Sequence, residues 1–184
     1  MAHIDRRPGI RPRPSIGRRL DIIARTCFPG CVTLVLMMLT QAPLGIRGQA
    51  ELLPAVMLGS VWFWSLVRPD TMQPPLVFVL GILTDLTGYL PLGVCAFTLL
   101  AVHGIAVSLR RRLVQVGFAL IWVAYAFIAA AASILIWLLV MLLTFRLLSP
   151  MPALFQAILA IAVYPVLAIP FSAAHRSIAN TDHV

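Results

Sequence analysis

Few residues in this chain are equipped for chemistry, and those few stand apart from one another. Asp85, in the run Gly81-Ile-Leu-Thr-Asp85-Leu-Thr-Gly88, is the one acid set squarely in an apolar segment, with Thr84 and Thr87 beside it. A carboxylate in such surroundings is costly, so it needs a reason. It can be a proton or cation site, an anchor for a partner's arginine, or an acceptor for backbone N–H groups freed where Gly88 to Gly93 interrupts the helix. The last reading is favoured, and a tight hairpin would also bring Asp85 near the level of Thr98. General acid–base work needs a second positioned group, which a lone carboxylate lacks. His103 sits in the middle of the next apolar run, displaced from Asp85 by the hairpin register, and is expected to hydrogen-bond to a neighbouring helix. His3, His175 and His183 fall in the tails.

The rest of the chemical inventory is short. There is no lysine, which removes the P-loop lysine, the Schiff-base lysine and any Ser-Lys pair. Cys27, Cys31 and Cys95 all lie in apolar stretches and read as packing residues. Cys27 and Cys31 share a helix face, but two thiols without a histidine make a poor metal site. No Gly-x-Ser-x-Gly elbow, His-Glu-x-x-His helix or glycine-rich phosphate loop occurs. The several aspartates of a lipid-phosphate alcohol transferase are missing as well. The expectation is a non-enzymatic protein with no catalytic residue, no cofactor and no metal.

The elements that position these residues follow from composition. Of 184 residues, 61% are hydrophobic and 11% charged, against roughly 45–50% and about 25% in ordinary soluble domains. So few charged side chains cannot clothe a soluble fold of this size, which excludes a cytosolic enzyme, a secreted disulfide module and a disordered tail. The expected fold is an all-α membrane protein with six transmembrane helices in one bundle. The spans fall at about 26–44, 52–67, 76–90, 94–109, 117–144 and 153–171. The third is short and broken by Pro91-Leu92-Gly93. The fifth is long enough to cross once with tilt rather than twice. Pro165 and Pro170 should kink the sixth near its end. Trp62-Phe63-Trp64, closing the second span, resembles an interfacial aromatic cluster. Ala129 to Ser133 allow close helix approach, expected within the chain.

Arginine placement orients the bundle. Seven of the 14 basic residues precede the first span: Arg6, Arg7, Arg11, Arg13, Arg18, Arg19 and Arg25. Six crossings with both termini inside collect these with Arg68, Arg110–Arg112 and Arg176 on one side, leaving Arg47 and Arg146 on the other. The net charge of +8 is therefore a topology signal with possible contact to membrane lipids, and no nucleic-acid partner is expected, because the basic tail has no interleaved aromatics. The expected layout is a disordered basic cytoplasmic tail over 1–20, a transmembrane domain over 21–172 and a cytoplasmic tail over 173–184. Within the first tail, Pro-rich 1–15 is too polar to fold alone, and Ile16, Leu20 and Ile23 suit a short helix in the headgroups.

The stretch from Trp62 to Ala96 resembles the rod shape-determining MreD family. Trp62-Phe-Trp-Ser-Leu-Val-Arg68-Pro69 leads to Gly81-Ile-Leu-Thr-Asp85 and Gly88, then Pro91-Leu92-Gly93 before the next helix. Arg68, Pro69, Gly81, Asp85, Gly88, Pro91 and Gly93 are the positions that match the family pattern. No catalytic role attaches to them. The departures are Ile82-Leu83 in place of Leu-Leu and a longer Arg/Pro-rich N-terminal extension. The resemblance implies a scaffold subunit of the bacterial cell-elongation machinery in the cytoplasmic (inner) membrane. It implies partnership with MreC, MreB filaments, RodA and the elongation-class penicillin-binding transpeptidase. A shared fold with the substrate-binding subunits of energy-coupling-factor transporters supplies the alternative, a small-molecule-binding transport subunit. Against it stands the scarcity of polar groups able to converge on a ligand.

Overall fold

The computed structural model describes residues 16–42, 49–113 and 115–180, with 16–25 and 174–180 described by their backbone alone. The expected disordered segment over 1–15 lies outside the described residues. The fold is all-α, with six helices: α1 (Ile16–Thr40), α2 (Gln49–Val67), α3 (Pro74–Thr87), α4 (Val94–Leu113), α5 (Phe118–Thr144) and α6 (Met151–Asn180). Four of them, α2, α4, α5 and α6, are long and apolar enough to cross a membrane. The apolar part of α1, Thr26–Thr40, and the whole of α3 are shorter.

Local sequence explains most of the boundaries. The Pro74-Pro75 pair opens α3, where the missing N–H groups cost nothing and the fixed φ suits a first turn. The stretch from 117 to 144 is a single helix, as its length predicts, and it ends with Phe145 in the left-handed region at φ 52°. Two boundaries differ from expectation. The short headgroup helix and the first span form one continuous α1, because nothing between Ile16 and Thr40 beyond Pro29 interrupts helical hydrogen bonding. It therefore starts inside the segment expected to be tail. At the other end α6 runs through Pro165 and Pro170 to Asn180, carried past residue 173 by Ser-Ala-Ala and similar helix-compatible residues.

α2 is the centre of the bundle. It packs on α6, α4 and α1, while α3 pairs with α4 and α5 pairs with α6 and α4. Every residue from Leu53 to Leu66 is buried. A helix that is apolar all round must be covered on all sides, by protein or by lipid. For α2 the chain supplies the cover, with 78% of its apolar window buried, whereas for α5 only 22% is. The outward faces carry large side chains such as Phe127 and Ile169, both more than two-thirds exposed. Contiguous apolar surface of this kind belongs in a bilayer.

Central placement of α2 corrects the reading of its aromatic cluster. Trp62 and Trp64 are fully buried and Phe63 nearly so. They are core residues, because α6 and α5 cover the end of α2 that sequence assigned to the interface. Trp62 meets Tyr125 at 6.0 Å, Tyr125 stacks on Tyr164 at 4.3 Å, and Trp64 meets Phe171 at 5.2 Å. This aromatic lattice ties α2 to α5 and α6. The cysteines divide similarly: Cys95 is buried, but Cys27 and Cys31 are exposed and do not pack inside. The inward face of α1 is instead Gly30, Thr33, Met37 and Thr40. Ala129, Ala132 and Ser133 are buried within the chain, as expected of a close helix approach.

Among the described glycines, the closest approach to a neighbouring backbone is at Gly81, between α3 and α4. A Cβ added at Gly81 would lie 2.3 Å from the Cα of Ala96. No rotamer change relieves a clash with backbone, so Gly81→Ala should destabilise the protein by about 1–3 kcal/mol. Gly104, on α4 with open space around it, is the control: Gly104→Ala should be neutral or stabilising by up to ~1 kcal/mol. Unfolding midpoints of the purified variants in one detergent check both. Equal effects would show that the α3–α4 approach carries no special constraint.

Candidate functional site

Five of the seven motif residues converge on the turn between α3 and α4. Thr84 and Thr87 donate their hydroxyls back to Leu80 O and Leu83 O, so α3 satisfies its own polar side chains up to its last turn. Gly88 caps α3 with its N–H on Thr84 O at 2.8 Å. The chain then turns through Tyr89 at φ 55° and Gly93 at φ 98°. At Gly93 a side chain would be strained, which accounts for glycine there. The Leu90 N–H bonds to Asp85 O, and the Val94 N–H to Pro91 O, which closes the turn on both sides.

A new helix starting at Val94 brings unsatisfied N–H donors in its first turn. Asp85 meets them from the end of the preceding helix. Its Oδ2 accepts from Gly93 N at 2.8 Å and Ala96 N at 3.4 Å, and its Oδ1 accepts from Cys95 N at 2.7 Å. The carboxylate is completely buried. It is a long-range cap placed against the positive end of the α4 dipole, a geometry that favours a negative charge. Net contributions of about 1.5–3 kcal/mol per charge-assisted bond offset the desolvation of the acid. Gly81, one turn earlier on α3, permits the approach that makes these distances possible. Thr98 does not bond to it, contrary to the hairpin-level expectation: its hydroxyl donates to Val94 O within α4, and the carboxylate is met by backbone donors with the Cys95 thiol beside it.

Arg68 and Pro69 lie elsewhere, in the turn before α3, a helix length of ~20 Å from Asp85. There the Arg68 carbonyl accepts the N–H groups of Thr71 and Met72 and the Thr71 hydroxyl, and the Arg68 N–H bonds to Trp64 O. The motif therefore forms two turn structures, one at each end of α3.

Two further polar links were not singled out by sequence. Ser65 on α2 bonds to His103 Nδ1 at 2.8 Å, which supplies the helix partner expected for that histidine. Arg110 Nε donates to Leu66 O at 2.8 Å, so a cation from the end of α4 caps the negative end of α2. The intramembrane histidine was the only available signal for the first. The arginine triplet read as topology and hid the second. Among the described residues, no three of His, Cys, Asp and Glu stand together in a way that could hold a metal ion.

Chemically, this arrangement fixes shape. Both oxygens of Asp85 are occupied by backbone donors, and the Cys95 thiol lies within hydrogen-bond reach of the same carboxylate. Helices and site together define a multi-pass helical membrane protein with a hydrogen-bonded hairpin at one end. No protein-family model, curated protein or solved structure matches the chain.

Because each oxygen of Asp85 is used, asparagine cannot replace it freely. Either orientation of the amide sets its NH2 group against a backbone N–H. Asp85→Asn should therefore cost about 1–2 kcal/mol and Asp85→Ala, which orphans the buried donors, roughly 3–5 kcal/mol. Maleimide labelling of Cys95 in a Cys27→Ser, Cys31→Ser background reads the opening of the turn directly. Labelling should rise from wild type to Asn to Ala. Equal protection in all three would show that the carboxylate does not hold the hairpin.

Proposed function

We propose that this chain is a non-enzymatic scaffold subunit of the bacterial cell-elongation (rod) complex, of the MreD family, in the cytoplasmic membrane. The reading rests on one observation. The residues that carry the family resemblance are those that build the α3–α4 hairpin and its flanking turn, and the carboxylate among them is engaged by the backbone donors that open α4. In this reading all six helices cross, with α1 and α3 completing a bundle whose arginine-rich ends face the cytoplasm. The Arg110–Arg112 triplet in the last turn of α4 favours this count, because removing α3 as a crossing would send it outside.

The mechanism is association in the plane of the lipid. The outward apolar faces of α1 and α5 offer helix surfaces to partner membrane segments. The hairpin tip offers Tyr89 and Leu92, which are 97% and 63% exposed. Holding these at fixed positions lets the chain locate MreC, RodA and the elongation-class penicillin-binding transpeptidase relative to one another and to MreB filaments. Lateral peptidoglycan synthesis is thereby kept in register with the cytoskeleton.

Crosslinking in native membranes, affinity purification of this chain and mass spectrometry test the reading. Recovery of MreC, RodA or the transpeptidase is expected, and a photoreactive residue at position 89 should reach one of them. Recovery of a paired cytoplasmic ATPase with its membrane coupling subunit would overturn the reading in favour of a transport subunit.

A further inference from the structure

Positive charge collects at the end of the bundle where α2 and α4 finish, and no acid answers it. Arg68 and Arg110 are partly buried there, and Arg111 and Arg112 are exposed. Asp70 is the one acid at this end among the described side chains; it is exposed, and none of these arginines forms an ion pair with a described residue. Nη1 of Arg68 is buried without an acceptor, the one charged group among the buried polar atoms in that state. A charge withdrawn from water without a counter-ion costs more than an unpaired hydroxyl. Arg110 spends Nε on Leu66 O at 2.8 Å, which fixes its guanidinium and leaves both Nη groups without an acceptor among the described residues.

A cavity of about 350 Å³ opens beside this charge. Leu66, whose carbonyl holds Arg110, lines it, and so does Leu113, one turn beyond Arg110 on the same face of α4. From there it runs inward along apolar walls. Phe63 lies ~6 Å before the end of α2. Tyr164 stacks on Phe118, the first residue of α5, and also on Tyr125, ~10 Å further along that helix. Phe118 and Ile169 form the outer lip and are 52% and 71% exposed, so the cavity opens sideways to whatever surrounds the bundle. A basic mouth with apolar depth beneath it, facing the bilayer, matches an acyl chain under an anionic headgroup. A soluble anion would use the arginines and leave the apolar depth empty.

We propose that this cavity holds an acyl chain of one anionic phospholipid, with its phosphate on the Nη groups of Arg110. The planar guanidinium offers two donors to two phosphate oxygens at once, and Leu66 O already holds it at the mouth. Arg68, Arg111 and Arg112 add unneutralised positive charge around the headgroup. This assignment does not rest on the scaffold reading and holds or fails separately from it.

The full chain, reconstituted in nanodiscs of equal phosphatidylglycerol and phosphatidylethanolamine with matched acyl chains, is released into mild detergent and weighed intact by native mass spectrometry. One phosphatidylglycerol per chain should remain, at roughly fivefold or more over phosphatidylethanolamine, as a charge-assisted contact predicts. Excess soluble glycerol phosphate should not displace it, because the headgroup alone lacks the chain. These two arms need no mutation and so cannot fail through misfolding. Ile169→Trp, which fills the lip from an exposed position, should lower retention of both lipids roughly fivefold at an unchanged melting temperature. Arg110→Gln should abolish the headgroup preference. The N-terminal arginines are the same in every variant, so a preference that survives Arg110→Gln belongs to them and overturns the proposal. Complete release of lipid by the wild-type chain, equal retention of the two headgroups, displacement by glycerol phosphate, or undiminished retention in Ile169→Trp overturns it as well.

Discussion

The structure depends on how a helix can begin inside apolar surroundings. Each new helix presents up to four N–H groups without intrahelical partners, and in hydrocarbon no water is present to take them. The break between α3 and α4 creates this problem beside the buried core. Asp85 resolves it with one side chain reaching Gly93, Cys95 and Ala96. The bond lengths need α3 to lie almost against the backbone of α4, which only glycine at position 81 permits. They also need a turn that reverses within six residues, which the positive φ at Tyr89 and Gly93 provides. Cap, close approach and turn are thus one constraint expressed at three places. α4 in turn presents His103 to α2 and Arg110 to the carbonyl end of α2. An error at Asp85 would therefore be felt along the central helix.

Electrostatics run the same way at both ends of the hairpin's partner helices. A carboxylate sits at the positive start of α4, and a guanidinium sits at the negative finish of α2. Each is worth only a few kcal/mol at most. In a bilayer the alternatives are worse, because an unpaired terminus there costs several kcal/mol per group. The same arginine that the sequence offers as an orientation signal therefore also finishes a helix, so its position in the last turn of α4 serves packing.

How much of this the sequence revealed depended on whether the signal was periodic or pairwise. Helix number and most spans were legible because apolar runs and Pro/Gly breaks are local features, as at Pro74-Pro75 and Pro91-Leu92-Gly93. Asp85 was legible as an architectural acceptor, because a lone acid next to a broken helix has obvious donors nearby. Which donors it takes was not: Thr98 was the expected neighbour and the backbone of α4 is the actual one. Trp62 and Trp64 were misplaced because a tryptophan suits a headgroup interface and a core equally well, and only the neighbours Tyr125, Tyr164 and Phe171 decide. Ser65, Ser133 and Gln156 carried no pattern. A single polar residue in an apolar run acquires meaning only from the helix that faces it.

The contrast between α2 and α5 shows why composition alone could not rank the helices. α5 is the more hydropathic of the two and the less buried. In water the more apolar helix goes to the centre. Here the surrounding medium is itself apolar, so burial is decided by what the helix can exchange with its neighbours. α2 brings Ser65 for His103, a carbonyl for Arg110 and aromatic rings for Tyr125 of α5 and Phe171 of α6. α5 brings mostly aliphatic side chains that lipid solvates as well as protein does. The moderately apolar helix with specific partners therefore occupies the core, and the uniformly apolar one faces the bilayer. Tyr125 and Ser133 are the exceptions on α5: buried hydroxyls with no hydrogen-bond partner among the described residues, on a helix otherwise built for lipid.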